Sequence, residues 1–416
     1  MAEMMTASAE FRRSWKNLAG AMIGLAVGVH ALPFGTSGLF LGPLTKTFGW
    51  SRAEASLGPT LLFLCLGGIA PFIGLLIDRV GARRVVLPGL ICLCAFFVAM
   101  SSIGPSLSLY YACFVAVGVF AAGSATPTYT RVINANFVAA RGRALGIALI
   151  GTGLSSAAVP PVLASIIESQ GWRAGYLMLA IIVALAAPLV LLLLGQSGRA
   201  TEGNETLAGF TIREALADRM LWGLGVVFFL VALAVGGFSS HFIAMQTDQG
   251  GSAVTAARLM GAGGLFLIFG RLLTGFLIDR FFAPHVAAIV MLVSAGGFLL
   301  IAQGGPTFAL AGLLAAGLAF GAEIDLVSYL VARYFGLRAY GRVYGVLYAF
   351  VVAGTALSPT AYGLCFDHLG SYVAVLQGAA GLLVTAAIGF GLLRTFPERF
   401  EANPPRARVV PRGSRA

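Results

Sequence analysis

The amino-acid sequence predicts an all-α membrane protein with twelve transmembrane helices in two pseudo-symmetric halves of six. Three observations carry that prediction. Of 416 residues, 58% are hydrophobic and only 10% are charged, against about 25% charged in a soluble domain, so most of the surface cannot face water. The apolar residues fall into twelve runs, each near the roughly 20 residues that cross a bilayer. Finally, one charged word, G-x-L-I-D-R, occurs twice, at Gly74 and Gly275, 201 positions apart (275 − 74).

The first six runs are 17–39, 57–77, 85–103, 109–133, 144–167 and 173–196. "FGWSRAE" separates the first pair, "DRVGARR" the second, "IGPSLS" the third and "ESQGWR" the last, each a Gly, Pro or charge interruption that reads as a turn. The second six are 221–244, 255–279, 286–304, 307–332, 343–366 and 372–394, punctuated by segments such as "QGGPT" and "FDHLGS". The 55 glycines would be defects in soluble helices, but between helices in lipid they permit close approach. "EFRRSWKN" leads into the first run with no small-residue cleavage site, so that run reads as a span rather than a signal peptide. All five cysteines sit in or at the ends of apolar runs, and Cys92 and Cys94, two apart, do not share a helix face. They read as small hydrophobes, with no disulfide or metal role.

A second register supports the two-fold design. Arg143, Gly146, Pro160 and Gly171 recur at Arg342, Gly345, Pro359 and Gly370, each 199 positions on (342 − 143). The expected organisation is an N-terminal half over 1–196, a cytoplasmic linker over 197–220, a C-terminal half over 221–394 and a basic cytoplasmic tail over 395–416. The net charge of +11 is not the mark of a nucleic-acid binder, because of where it lies. On alternating topology, 21 of 27 basic residues fall on the side of the termini. Four (Lys46, Arg52, Arg173, Arg258) fall on the other side, and two (Arg131, Arg271) within runs. Basic loops face the cytoplasm, so both ends are expected there, and the sequon at Asn204 is expected to be unused.

Gly74, Leu76, Asp78, Arg79, Gly81, Arg83 and Arg84 resemble the loop motif between helices two and three of the major facilitator superfamily. Asp279 and Arg280 resemble its degenerate copy between helices eight and nine. "FGWSRAE", "NFVAARGRALGIALIGTG" and "HFIAMQTDQG" are similar to the monocarboxylate-porter and oxalate/formate-antiporter branch, although the acidic-Gly-aromatic signature of animal monocarboxylate transporters near helix one is missing. The resemblance implies the major facilitator fold, parallel repeats rocking about a central site, and a gate in which Asp78 sits at a helix N-terminus, where the dipole favours negative charge. It also implies a substrate-carboxylate arginine in helix eight.

An ionised side chain at the bilayer centre costs at least about 2.5–3.5 kcal/mol, so intramembrane charges are functional candidates. Arg271 lies near the middle of run eight; its planar fork suits a carboxylate, though a structural ion pair with Glu323 or Asp325 would also hold it. Glu323 and Asp325 lie mid-run in "FGAEIDLVSYL", about 200° apart on a helix, so at most one faces a cavity fully. Either could be the proton-coupling group. His30, mid-way along run one, titrates near neutrality in its free form; a hydrogen bond to a neighbouring helix is the plainer role. His241, toward the outer end of run seven, could line the mouth. Tyr344 and Tyr348 share a face and could offer hydroxyls to a substrate or simply pack. Arg131, in the inner third of run four, can snorkel to the cytoplasm or contact the substrate.

Helix eleven has no base beyond Arg342 at its mouth, where an oxalate-type exchanger would present one; a single deep arginine suits a single carboxylate. The Gly-Pro-x-x-Gly-Gly pattern of antiporters is also missing from helix five. There is no H-E-x-x-H, no G-x-S-x-G and no phosphate-binding glycine loop, so no enzyme, cofactor or metal site is expected. The expectation is a monomeric secondary carrier of a bacterial inner membrane. It would move a small organic anion, foremost a monocarboxylate, in symport with a proton; its partners are substrate, protons and lipid, not nucleic acid. The alternative is a carrier of another small solute, including an exporter of amphipathic compounds.

Overall fold

The computed structural model describes residues 7–137, 141–195, 209–278, 280–336 and 338–397, helical almost throughout. The expected sequon, Asp279 and the tail from 398 lie outside the described residues, and Gly74 and Asp78 are described in backbone only. Among the described residues, ten helical stretches are long and apolar enough to cross a membrane. α3 (Arg52–Val80), at 29 residues, and a broken fourth span bring the bundle to twelve.

Span one consists of α1 (Ala7–Val27), a π-turn (His30–Phe34) and α2 (Ser37–Phe48). The sequence predicts one unbroken run here. Pro33 has no N–H to give the helical ladder, and the Ala31 and Leu32 amides both turn to the Gly28 carbonyl, at 3.0 and 3.2 Å. Such single-turn π insertions are frequent at functional sites. α3 and α4 (Ala82–Ser101) follow. The fourth run is also broken, into α5 (Leu107–Phe120), a 3₁₀ turn (Ala122–Ser124) and α6 (Thr126–Asn136). The turn carries Gly123, where an added Cβ would strike Val85 of α4, and Pro127 restarts the helix in its first turn. α7 (Arg141–Gln170) and α8 (Trp172–Leu193) complete the first six spans.

The expected linker contains a short helix, α9 (Ile212–Ala217), started by a capping box between Thr211 and Glu214. Just before it, the Phe210 amide donates to Phe335 O at 2.8 Å. The remaining spans are α10 (Arg219–Asp248), α11 (Ala253–Ile278), α12 (Ala283–Gly304), α13 (Ala309–Phe335), α14 (Tyr340–Leu369) and α15 (Val373–Gly391).

In the first set α1 packs on α7 and α8, α3 on α5, and α4 on α8; in the second α10 packs on α14 and α15, α11 on α13, and α12 on α15. The two sets meet along α3–α14, α7–α11 and α2–α10. Helices in lipid gain nothing from burying apolar surface against one another, so contact area must come from small residues. Gly321 of α13 shows this: a Cβ there would stand 2.6 Å from Leu267 O and 2.7 Å from Arg271 N of α11. This close approach sets the geometry of the centre.

Candidate functional site

Between the two sets lies a cavity of about 240 Å³. The first set contributes His30 and Phe34 from the π-turn, Phe63 of α3 and Thr126 of α6. The second contributes Arg271 of α11, Glu323 of α13 and Tyr348 of α14, among apolar neighbours such as Leu267 and Phe320. Those two walls differ in kind. The acid and the guanidinium come from the second set, beside the Phe320 and Tyr348 rings, whereas the first contributes no acid, lysine or arginine and presents a cluster of rings among hydroxyls: Phe63 meets Phe34 edge-on at 4.7 Å between centroids and His30 at 5.5 Å.

Arg271 Nε lies 3.3 Å from Asp325 Oδ2, yet the N–H is not aimed at an acceptor and makes no hydrogen bond. This is a loose ion pair, with Asp325 set back from the cavity lining. Glu323 is 3% exposed, and its Oε1 has no hydrogen-bond partner. The 200° between the two acids thus divides them: Glu323 lines the cavity and Asp325 faces the guanidinium.

Tyr340, Tyr344 and Tyr348 stack in a ladder up α14, with ring planes 23° and 12° apart. Tyr348 lines the cavity, while Tyr344 is set behind it, in electrostatic contact with Arg271 and Asp325. His30 Nδ1 is within 3.4 Å of Thr126 Oγ1, a bond from the π-turn to α6.

His241 does not line this cavity. It is fully buried at the end of the bundle holding the α2–α3 and α14–α15 turns, here called the latched end; the described chain ends lie at the other, the terminal end. Its Nε2 is 2.9 Å from Pro359 O and 3.1 Å from Ser56 Oγ. A carbonyl only accepts, so Nε2 carries the proton, and in a neutral ring Nδ1 accepts from Tyr372 Oη at 2.8 Å. Tyr372 in turn accepts from Arg52 Nη1 at 2.6 Å.

Arg52 also pairs with Asp248 at 2.6 Å and lies over the Phe366 ring at 3.8 Å. The Asp367 carboxylate accepts from the Arg52 and Ala53 amides at 3.2 and 2.9 Å, where the α3 dipole favours a negative charge. Thr60 donates to Ala356 O at 2.5 Å. Together these residues bolt the two sets to each other.

Sequence reasoning missed that bolt. Its signal was present: Asp248 and Asp367 are acids just past the ends of apolar runs seven and eleven, on a side with few bases, where Arg52 precedes run two. The predicted gating motif lies at the other end. Gly81 turns from α3 to α4 with a positive φ of 88°, Arg79, Arg83 and Arg84 are exposed, and Arg280 lies over Phe276 at 4.1 Å. Among the described residues, no group of acids, histidines and cysteines could hold a metal ion.

The chain is 24% identical to an uncharacterised MFS-type transporter, YcxA of Bacillus subtilis, over 81% of this chain and 85% of that protein. It is 26% identical to monocarboxylate transporter 11 of Mus musculus, over 89% and 87%. Among solved structures it superimposes on a bacterial homologue of the human lysosomal transporter Spinster, in an inward-facing and occupied conformation, with a TM-score of 0.68. That match covers 93% of this chain and 97% of the other at 17% identity, a likeness of fold. Residues 23–359 match the Major Facilitator Superfamily. A transporter of integral-membrane type, the chain belongs to that superfamily.

Proposed function

We propose that the chain carries small monocarboxylates together with a proton, by alternating access. The observation that supports this most is Arg271: a half-buried side chain on the cavity wall whose buried Nε–H points at no acceptor, although Asp325 is 3.3 Å away. Such a loose internal pair can be exchanged for a substrate carboxylate, which the planar fork would take bidentately. Glu323, with one buried oxygen unpartnered, is the proposed proton seat. Burying its ionised form costs several kcal/mol without a partner, and a bound proton removes that cost. Relatives named monocarboxylate transporters agree with this reading. The excess of arginine at the terminal end supports placing it in the cytoplasm of a bacterial inner membrane. The bolted conformation is then the inward-facing one.

The test is uptake of radiolabelled lactate into proteoliposomes under an acid-outside gradient, in wild type and Arg271→Lys. Uptake by wild type and a loss of tenfold or more in the variant are expected, because lysine keeps the charge but not the fork. Full activity in Arg271→Lys would end Arg271's role as anchor. An absence of carboxylate uptake by wild type would end the whole reading.

A further inference from the structure

Starting from the carboxylate reading above, we infer that the cargo has a bulky, preferably aromatic, apolar body, and that Phe34, Phe63 and His30 select it. The cavity exceeds what a short acid needs. At about 30 Å³ per water in the liquid, about 240 Å³ equals roughly eight waters, whereas lactate has six heavy atoms, two of them in the carboxylate held at Arg271.

The division of the walls sets the orientation. Arg271 and Glu323 stand on one side, so a carboxylate held there projects its remainder toward the first set. What it meets there is a cluster of three rings in edge-to-face order, at 4.7 and 5.5 Å. Phe63 is 5% exposed and held by its neighbours. The π-turn places His30 and Phe34 on the cavity side of span one, and the Thr126 contact steadies the imidazole. Aromatic rings recognise other rings edge-on or offset, beyond the area they bury. A carboxylate with no apolar body would leave this wall facing water.

The experiment compares KM for lactate and for 3-phenylpropionate in proteoliposomes of the full chain, in wild type, Phe63→Leu and Phe34→Leu. Leucine keeps an apolar side chain and removes the ring, and the thermal midpoint of each purified variant reports that it still folds. Wild type is expected to show a KM for 3-phenylpropionate at least tenfold below that for lactate. At least one variant should lose most of that ratio through the aromatic acid alone.

A wild-type ratio near one would overturn the inference and leave the carboxylate reading standing. A preference that survives in both variants would overturn the assignment of these rings. Equal loss of both acids in both variants would also overturn it, since the rings would then be structural. If wild type carried neither acid, the carboxylate reading would fall first and this inference with it.

Discussion

Glu323 and Asp325, two residues apart, are given different surroundings by the turn of one helix. Asp325 faces a cation, and Glu323 faces the cavity with an oxygen unpartnered. Carrying an anion inward against a negative-inside potential costs about 2.3 kcal/mol per charge per 100 mV, and a proton moving with it cancels that cost. If Glu323 seats the proton, Glu323→Gln should abolish accumulation driven by an acid-outside gradient yet leave exchange between preloaded vesicles within about twofold of wild type. Retained accumulation in that variant would move the seat elsewhere, with His30 and Asp325 next to be tested. The identity of both acids was legible in the sequence as the only carboxylates deep in an apolar run. Which faced the cavity was not, because a 3.6-residue period gives relative directions and no absolute one.

At the scale of elements, α13 is held against α11 by the absence of side chains. Gly317 and Gly321 lie over the backbone from Phe266 to Arg271, and a Cβ at either would come within 3.0 Å of that backbone. Gly321→Ala should push the helices apart by a few tenths of an ångström and more, loosen the Arg271–Asp325 pair and cost about 1–3 kcal/mol of overpacking. The expected result is a lower thermal midpoint together with at least tenfold weaker transport. Unchanged values for both would mean that α13 gives way cheaply and that its fit does not position the site. Composition marked these glycines as packing residues, and their number was visible from the start. Their partners were not, since a glycine that meets a helix and a glycine that faces lipid read alike.

At the scale of the whole molecule, the contacts around Arg52 join the two sets at the latched end, and under the proposed alternating access they hold one state. The pair with Asp248 is partly exposed, at 17% and 34%, and is discounted for solvent. With the Tyr372 hydrogen bond and the Phe366 ring, removing Arg52 is assigned about 1–2 kcal/mol, a factor of roughly 5–30 between states. Arg52→Ala should therefore move the population toward opening at the latched end. Spin labels at positions 46 and 252, in a background lacking the five free cysteines, should show a longer distance population in the variant. Identical distance distributions would show that the bolt does not set the balance. Neutralising Asp367, which sits at the N-terminus of α3, should act in the same direction.

Sequence by itself determined the class, the number of spans, the repeat and the few charged residues that lipid would not tolerate. Each follows from local rules: a run of apolar residues crosses a bilayer whatever its neighbours, and a buried charge is expensive wherever it lies. Even the "FGWSRAE" turn was legible as a turn, with Gly49 in the left-handed region at φ 72° and Ser51 and Glu54 forming the capping box of α3. Only the tertiary structure decided that Arg52 within that turn reaches residues 196 and 320 positions away. It also decided that His241 belongs to the bolt and not to the cavity, and that span one breaks into a π-turn around Pro33 whose His30 and Phe34 line the cavity. These outcomes depend on which faces of distant helices meet, and that is set by the summed packing of small residues along whole helices.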